Sequence, residues 1–226
     1  MKQDKIWEHF QNEQGESFDG ARARLSWIHN KLIKGQRVLN IGVGNGAFER
    51  MSLQSGVDIF SLDPSERSIA QLIKELNLEE KAKVGYSQDI PFDDGFFDVV
   101  VMSEVLEHLS DEILRGTFVE IKRVLKNKGM FIGTVPAREN LNDSVTVCPE
   151  CACQFHRWGH VQSFNKISLN ELFSIYFTRV NIEERLFVNW KMENWKGKII
   201  YCLKKLLLVL DVHGSNENLY FEVVKD

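Results

Sequence analysis

The stretch RVLNIGVGNGAFER, residues 37–50, constrains this chain more than any other. Val38, Leu39 and Ile41 form the short apolar run of a strand buried on both faces, and Gly42, Gly44 and Gly46 follow before a helical pattern opens. A strand, a tight glycine turn and a helix start make a seat for a ligand. A backbone without Cβ can bend sharply there and approach a nucleotide or amino-acid group within van der Waals reach. Which ligand sits there is left open by the turn alone, because Gly42, Gly44 and Ala47 also satisfy the dinucleotide spacing G-x-G-x-x-A.

The residues around the turn repeat its logic. Strands are expected at 57–62, 83–87, 98–102 and 130–135, with helices at 64–76 and 111–126 between them. Segment 98–102 is almost wholly apolar, as a central parallel strand must be. Strand and helix alternate through residues 36–136, which predicts an α/β fold with a parallel sheet and helices on both faces. Residues 1–35 read as a helical segment carrying Phe18, Leu25, Ile28 and Leu32, ended by Gly35. The alternation breaks at 137–166, which reads as an insertion, and residues 167–226 resume with helix at 168–176, strand at 179–188, helix at 195–210 and strand at 219–224. The helix at 195–210 is expected to pack its apolar face on the sheet, with Cys202 in the core. The closing ENLYFE has the spelling of a protease-tag site, but its apolar alternation is that of a terminal strand and it is read as native.

Composition bounds the partners. The 226 residues, 43% hydrophobic and 27% charged, suit a single soluble domain, and a formal net charge of -4 provides no basic surface for a nucleic-acid backbone. No apolar run is long enough for stable membrane insertion, so a cytoplasmic location is the expectation. The pattern gives no oligomeric state.

In a parallel α/β sheet the ligand lies beyond the carboxyl ends of the strands, so polar residues there carry the chemistry. They are Asn40 with the three glycines, Asp63 at 21 positions past Gly42, Asp89, and the Ser103, Glu104 pair. A carboxylate at Asp63 can accept both hydroxyls of a ribose, and one at Asp89 an adenine exocyclic amine. Glu104 and His108, four apart, are expected on one face of a helical turn, where either could take a proton from an acceptor; alternatively His108 packs on a neighbouring loop with local hydrogen bonds.

VLNIGVGNG, SLDPS and SQDIPFDDGFFDVVVMSEVLEHL together resemble the class I S-adenosylmethionine-dependent methyltransferases, in particular the small-molecule branch, over roughly residues 36–136. The resemblance implies a Rossmann-like seven-stranded sheet, mostly parallel with a C-terminal antiparallel strand, and S-adenosylmethionine as cofactor. It places Gly42, Gly44 and Gly46 under the methionine part, Asp63 on the ribose, and Asp89 with the Ile90 backbone on the adenine, with Asn40 and Ser103 beside them. Asn40 departs from the family's usual acid before the first glycine and brings no charge. Methyl transfer needs the acceptor, here expected to be a small molecule, held on axis, so positioning supplies most of the rate.

A second constellation lies in the insertion. Cys148, Cys151, His156 and His160 have the spacing C-x2-C-x4-H-x3-H, the form of a compact structural zinc loop, and Cys153 offers an alternative ligand that would leave His160 for the substrate. Two competing functions stand beside the methyltransferase reading. One is a non-catalytic nucleotide-binding or scaffold protein presenting its zinc loop to a partner; the other is an NAD-dependent oxidoreductase, which the single glycine turn disfavours.

Overall fold

The computed structural model describes residues 6, 21–190, 193–210, 212–214 and 217–226. Phe18, placed by sequence on the N-terminal helix, lies outside the described residues. Nine strands are described: β1 Arg37–Ile41, β2 Asp58–Asp63, β3 Ala82–Val84, β4 Phe97–Ser103, β5 Leu125–Pro136, β6 Val145–Val147, β7 Gln154–His156, β8 Arg179–Arg185 and β9 Asn218–Val224. The helices are α1 Arg22–His29, α2 Ala47–Ser55, α3 Glu66–Leu76, α4 Asp111–Val124, α5 Lys166–Ser174 and α6 Trp195–Val209.

Seven strands form one sheet in the order β3-β2-β1-β4-β5-β9-β8, with β9 antiparallel to both of its neighbours and the other neighbouring pairs parallel. The period-two alternation of the strands sorts the core into two layers. Val38, Val99, Val101, Ile132 and Tyr220 face Ile28 of α1, Phe48 of α2 and Ile69 and Leu72 of α3. Leu39, Val100, Met102, Phe131 and Phe221 face Leu114 and Phe118 of α4 and Leu169 and Phe173 of α5. The alternating α/β pattern therefore resolves into the doubly covered seven-stranded sheet that the sequence implied. Leu219 and Phe221 are wholly buried within it, so ENLYFE is part of the fold.

Element ends differ from the sequence reading for local reasons. Helix α3 opens at Glu66, two residues later than the expected start at Pro64, because Ser65 caps it by accepting from the Ser68 N–H, and it closes on Asn77 in the left-handed region. Helix α1 stops at His29, ahead of Gly35. Strand β3 ends at Val84, three residues before the expected end, and strand β5 starts at Leu125 because α4 runs straight into it. Helix α6 is the larger correction: it buries none of its residues, with Cys202 exposed and Leu203 and Leu206 more than half exposed. No helix among the described residues is long and apolar enough to cross a membrane.

Two positions tie the fold to the site. At Gly133, in the middle of β5, an added Cβ would lie 1.7 Å from the Met102 carbonyl oxygen of β4 and 2.6 Å from the Phe221 ring. The second is a buried polar group at the floor of the glycine turn. Asn40 Nδ2 donates to Glu49 Oε1 at 2.7 Å, Ser61 Oγ donates to the same oxygen at 3.1 Å, and Glu49 Oε2 has no hydrogen-bond partner. Burial drives the Glu49 carboxyl up to about 7, against the opposing pull of those hydrogen bonds.

Two outcomes are expected. Gly133→Ala forces β4 and β5 apart and lowers stability by roughly 3 kcal/mol or more, read as a drop in Tm. Glu49 ionises less readily folded than unfolded, so its contribution is fully present below about pH 4.5 and lost as pH rises through about 7. Denaturant titrations should show stability falling by up to roughly 3 kcal/mol over that window, and Glu49→Gln should flatten the profile.

Candidate active site

The sheet reverses its direction of growth between β1 and β4, which are paired side by side from Val38–Val99 to Ile41–Met102. Chains leaving the carboxyl ends of these strands depart to opposite faces, which opens a crevice there. The glycine turn occupies that point. Gly42 donates its N–H to Leu62 O at 2.9 Å, and a Cβ on it would meet Val105 at 2.8 Å. Its φ of +89° is in any case open to glycine and strained for other residues.

Asp63 ends β2 beside the turn and is 1% exposed. Its Oδ2 accepts from the Val43 N–H at 3.0 Å and its Oδ1 from the Ser65 N–H at 2.9 Å, so the carboxylate braces the turn against the start of α3. Asn40 is turned away from the crevice toward Glu49. The end of β1 is thereby bonded to a buried carboxyl group from the first turns of α2.

Asp89 and Ile90 are not brought into this group. Because β3 ends at Val84, the residues that follow it next to Asp63 are Gly85, which donates to Asp63 O at 3.1 Å, and Tyr86. Asp89 is exposed, and the Ile90 N–H is already donated to Glu120 Oε2 at 2.8 Å. The early end of the strand shifted the register on which the sequence reading depended.

At the end of β4, Ser103 Oγ receives Arg24 Nε at 3.0 Å and pairs with Thr134 Oγ1 at 2.9 Å. Glu104 has φ +57°, a left-handed conformation costly for a residue with a Cβ. It is fixed by its own N–H to Thr134 O at 2.8 Å and by Asn218 Nδ2, 3.2 Å from each carboxylate oxygen, with Arg24 at 3.8 Å. Arg24 and Asn218 are neighbours that sequence reasoning missed, since they come from α1 and β9, 79 positions from Ser103 and 114 from Glu104 respectively. Glu104 and His108 do not share a helical face: the backbone turns at Glu104, and the 3-10 turn covers only Leu106–His108. His108 instead packs its ring edge-on against His160, with centroids 4.6 Å apart. Burial, reinforced by the neighbouring His160, lowers its imidazole to about 3, so it is neutral at physiological pH.

The expected Cys and His zinc set is not assembled. In the β6–β7 hairpin Val147 pairs with Gln154 and Val145 with His156, so Cys148, Cys151 and Cys153 lie at the turn while the histidines begin at the opposite end. A three-residue strand separates the two ends by about 10 Å. Among the described residues, the clusters that bring three ligand atoms within 4.8 Å are Glu107–His108–His160, Glu139–His156–His160 and Glu184–His213–Glu217, and none contains a cysteine. Arg138, just past the end of β5, is engaged by Glu184 at 2.6 Å and by Glu217.

Comparison with known proteins places this geometry. Residues 39–133 match the family model described as a methyltransferase domain. The ubiquinone biosynthesis O-methyltransferase of Bordetella avium is 32% identical over 96 residues, 39% of this chain and 39% of that protein. The sterol 24-C-methyltransferase ERG6B of Gibberella zeae is 35% identical over 126 residues, 52% of this chain and 33% of that protein. The chain thus spans well under half the length of these curated relatives. Among solved structures, a chain from the complex between the Haloferax volcanii Trm112 methyltransferase activator and a methyltransferase superposes with a TM-score of 0.67 at 18% identity, covering 97% of this chain and 98% of that one. The matched segment, under half of the chain, runs from the glycine-turn strand to the middle of β5, the part of the fold that builds the crevice, and it is this segment that is similar to methyltransferase domains.

Proposed function

We propose that this protein transfers the methyl group of S-adenosylmethionine to a small-molecule acceptor. The observation that carries the reading is the convergence, at the strand-order reversal, of the glycine turn with the buried Asp63 carboxylate. The donor set fits the cofactor. A close-approach backbone at Gly42, Gly44 and Gly46 suits the methionine part, and a carboxylate at the end of β2 suits ribose hydroxyls. Tyr86, directly beyond β3 and half exposed, is placed to flank the adenine in the role the sequence reading gave Asp89 and Ile90. The cofactor supplies a methyl carbon on a positively charged sulfur, whose departure leaves a neutral thioether.

The protein's task is then to hold the acceptor in line and exclude water. Ser103 and Glu104, fixed by Arg24, Thr134 and Asn218, stand at the mouth of β4, where an acceptor would approach. Glu104 is the group best placed to accept a proton there. His108 packs its ring edge-on against His160 of the insertion and does not share a helical face with Glu104. The O-methyltransferase and C-methyltransferase relatives act, by their names, on ubiquinone precursors and sterols, which favours a small-molecule acceptor here.

Titration calorimetry with S-adenosylhomocysteine should show one site per chain. Asp63→Ala should weaken binding at least tenfold, at about 1.4 kcal/mol or more, while Asp89→Ala leaves it within twofold. Binding of NAD in place of the adenosyl compound would favour the oxidoreductase. A bound cofactor with no transfer to a panel of hydroxyl, amine and carbon acceptors would favour the scaffold.

A further inference from the structure

The glycine seat leaves one group of buried polar side chains without a role. Glu107 is 1% exposed, and neither of its carboxylate oxygens has a hydrogen-bond partner. A buried acid left unpaired costs on the order of several kcal/mol, so the site is built for something that would complete it. His108 is the next residue, and one ligand atom from each of Glu107, His108 and His160 lies within 4.8 Å of the others. Donor atoms sharing one small cation stand about 3 to 4 Å apart, so a contraction of about an ångström closes the set.

The surrounding hydrogen bonds decide which nitrogens are open to a ligand. Glu139 Oε2 accepts from His160 Nδ1 at 2.5 Å, which fixes the proton on Nδ1 and leaves the lone pair on Nε2. His108 bonds the Gly159 backbone, and that bond favours its N–H form at one nitrogen and a lone pair at the other. His156 is the reverse case. Its Nδ1 accepts the His160 N–H at 3.1 Å, so its proton sits on Nε2, buried and 3.5 Å from Glu139 Oε1, and that nitrogen is closed to a cation. A carboxylate and a backbone carbonyl behind two histidines is the outer arrangement that orients metal-binding imidazoles.

We propose that Glu107, His108 and His160 bind one divalent transition-metal ion of the zinc type, with Glu139 and the Gly159 carbonyl as outer partners. Two imidazoles and one carboxylate suit zinc or its neighbours in the first row and leave a coordination position open. Glu107 and His108 follow the end of β4 and Glu139 the end of β5, so the open position lies on the side from which an acceptor would approach, where a hydroxyl or carboxylate oxygen is its natural occupant. That last point rests on the methyltransferase reading; the metal site itself does not.

The test titrates Zn²⁺ and Co²⁺ into chelator-treated full-length protein, read by calorimetry and visible absorption. One ion per chain is expected, with a Co²⁺ d–d band and without the near-ultraviolet charge-transfer band of thiolate ligation. His160→Ala should weaken binding at least 100-fold and Glu139→Gln by roughly 10- to 100-fold, each variant checked for folding by circular dichroism. A variant carrying Ser at Cys148, Cys151 and Cys153 should bind as the wild type. Absence of binding below millimolar metal, a thiolate band, or loss of binding in the cysteine variant with retention in both His160→Ala and Glu139→Gln would overturn the proposal. S-adenosylhomocysteine titrated into the same samples separates the two readings: failure there with metal binding intact faults the methyltransferase reading alone.

Discussion

The pairing of β1 with β4 is the constraint on which the rest of this structure depends. Two strands separated by more than fifty residues lie parallel and adjacent, and every chain leaving their carboxyl ends must go to one face or the other. The crevice between those exits is a consequence of connectivity. What the sequence adds is its lining: glycines that let the backbone come close, and an acid at the end of β2 that braces the turn. The tight approach of β4 to β5 at Gly133 serves the same end, holding Ser103 and Thr134 within hydrogen-bonding distance at the mouth.

The floor of the crevice shows how a local departure is absorbed. Asn40 stands where the family has an acid, and a carboxylate returns from α2 as Glu49, buried and bridged to Asn40 and Ser61. The arrangement is buried and carries an orphan oxygen, and burial raises the Glu49 carboxyl, which ties this region's stability to pH. Ser103 and Glu104 at the other wall are held by exposed-to-buried polar bridges from α1 and β9. The group around Ser103 and Glu104 is thus assembled from distant parts of the chain, whereas that around the glycine turn and Asp63 comes from one short stretch of sequence.

That contrast explains what could be read in advance. Strand identity in the first half was legible because apolar runs such as Val99–Met102 and the glycine turn carry their own periodicity. The closeness of the glycine turn to Asp63 followed from it. Strand ends were less legible: β3 stops at Val84, so Gly85 and Tyr86, not Asp89 and Ile90, follow it directly beside Asp63. The cysteine and histidine spacing was read as one ligand set, but spacing carries no information about hairpin register, and the β6–β7 pairing sends the two halves to opposite ends. Arg24 and Asn218 gave no local signal at all, since their importance comes only from the fold that brings them to Ser103 and Glu104.

The central claim is that the glycine turn and Asp63 together seat an adenosyl group. A crystal structure of the protein with S-adenosylhomocysteine tests it most directly. The account predicts the ribose hydroxyls within hydrogen-bonding distance of both Asp63 oxygens, the amino-acid part over Gly42–Gly46, and the sulfur facing Ser103 and Glu104. A ligand bound elsewhere, or a ribose held by other groups with Asp63 bonded only to Val43 and Ser65, would contradict it.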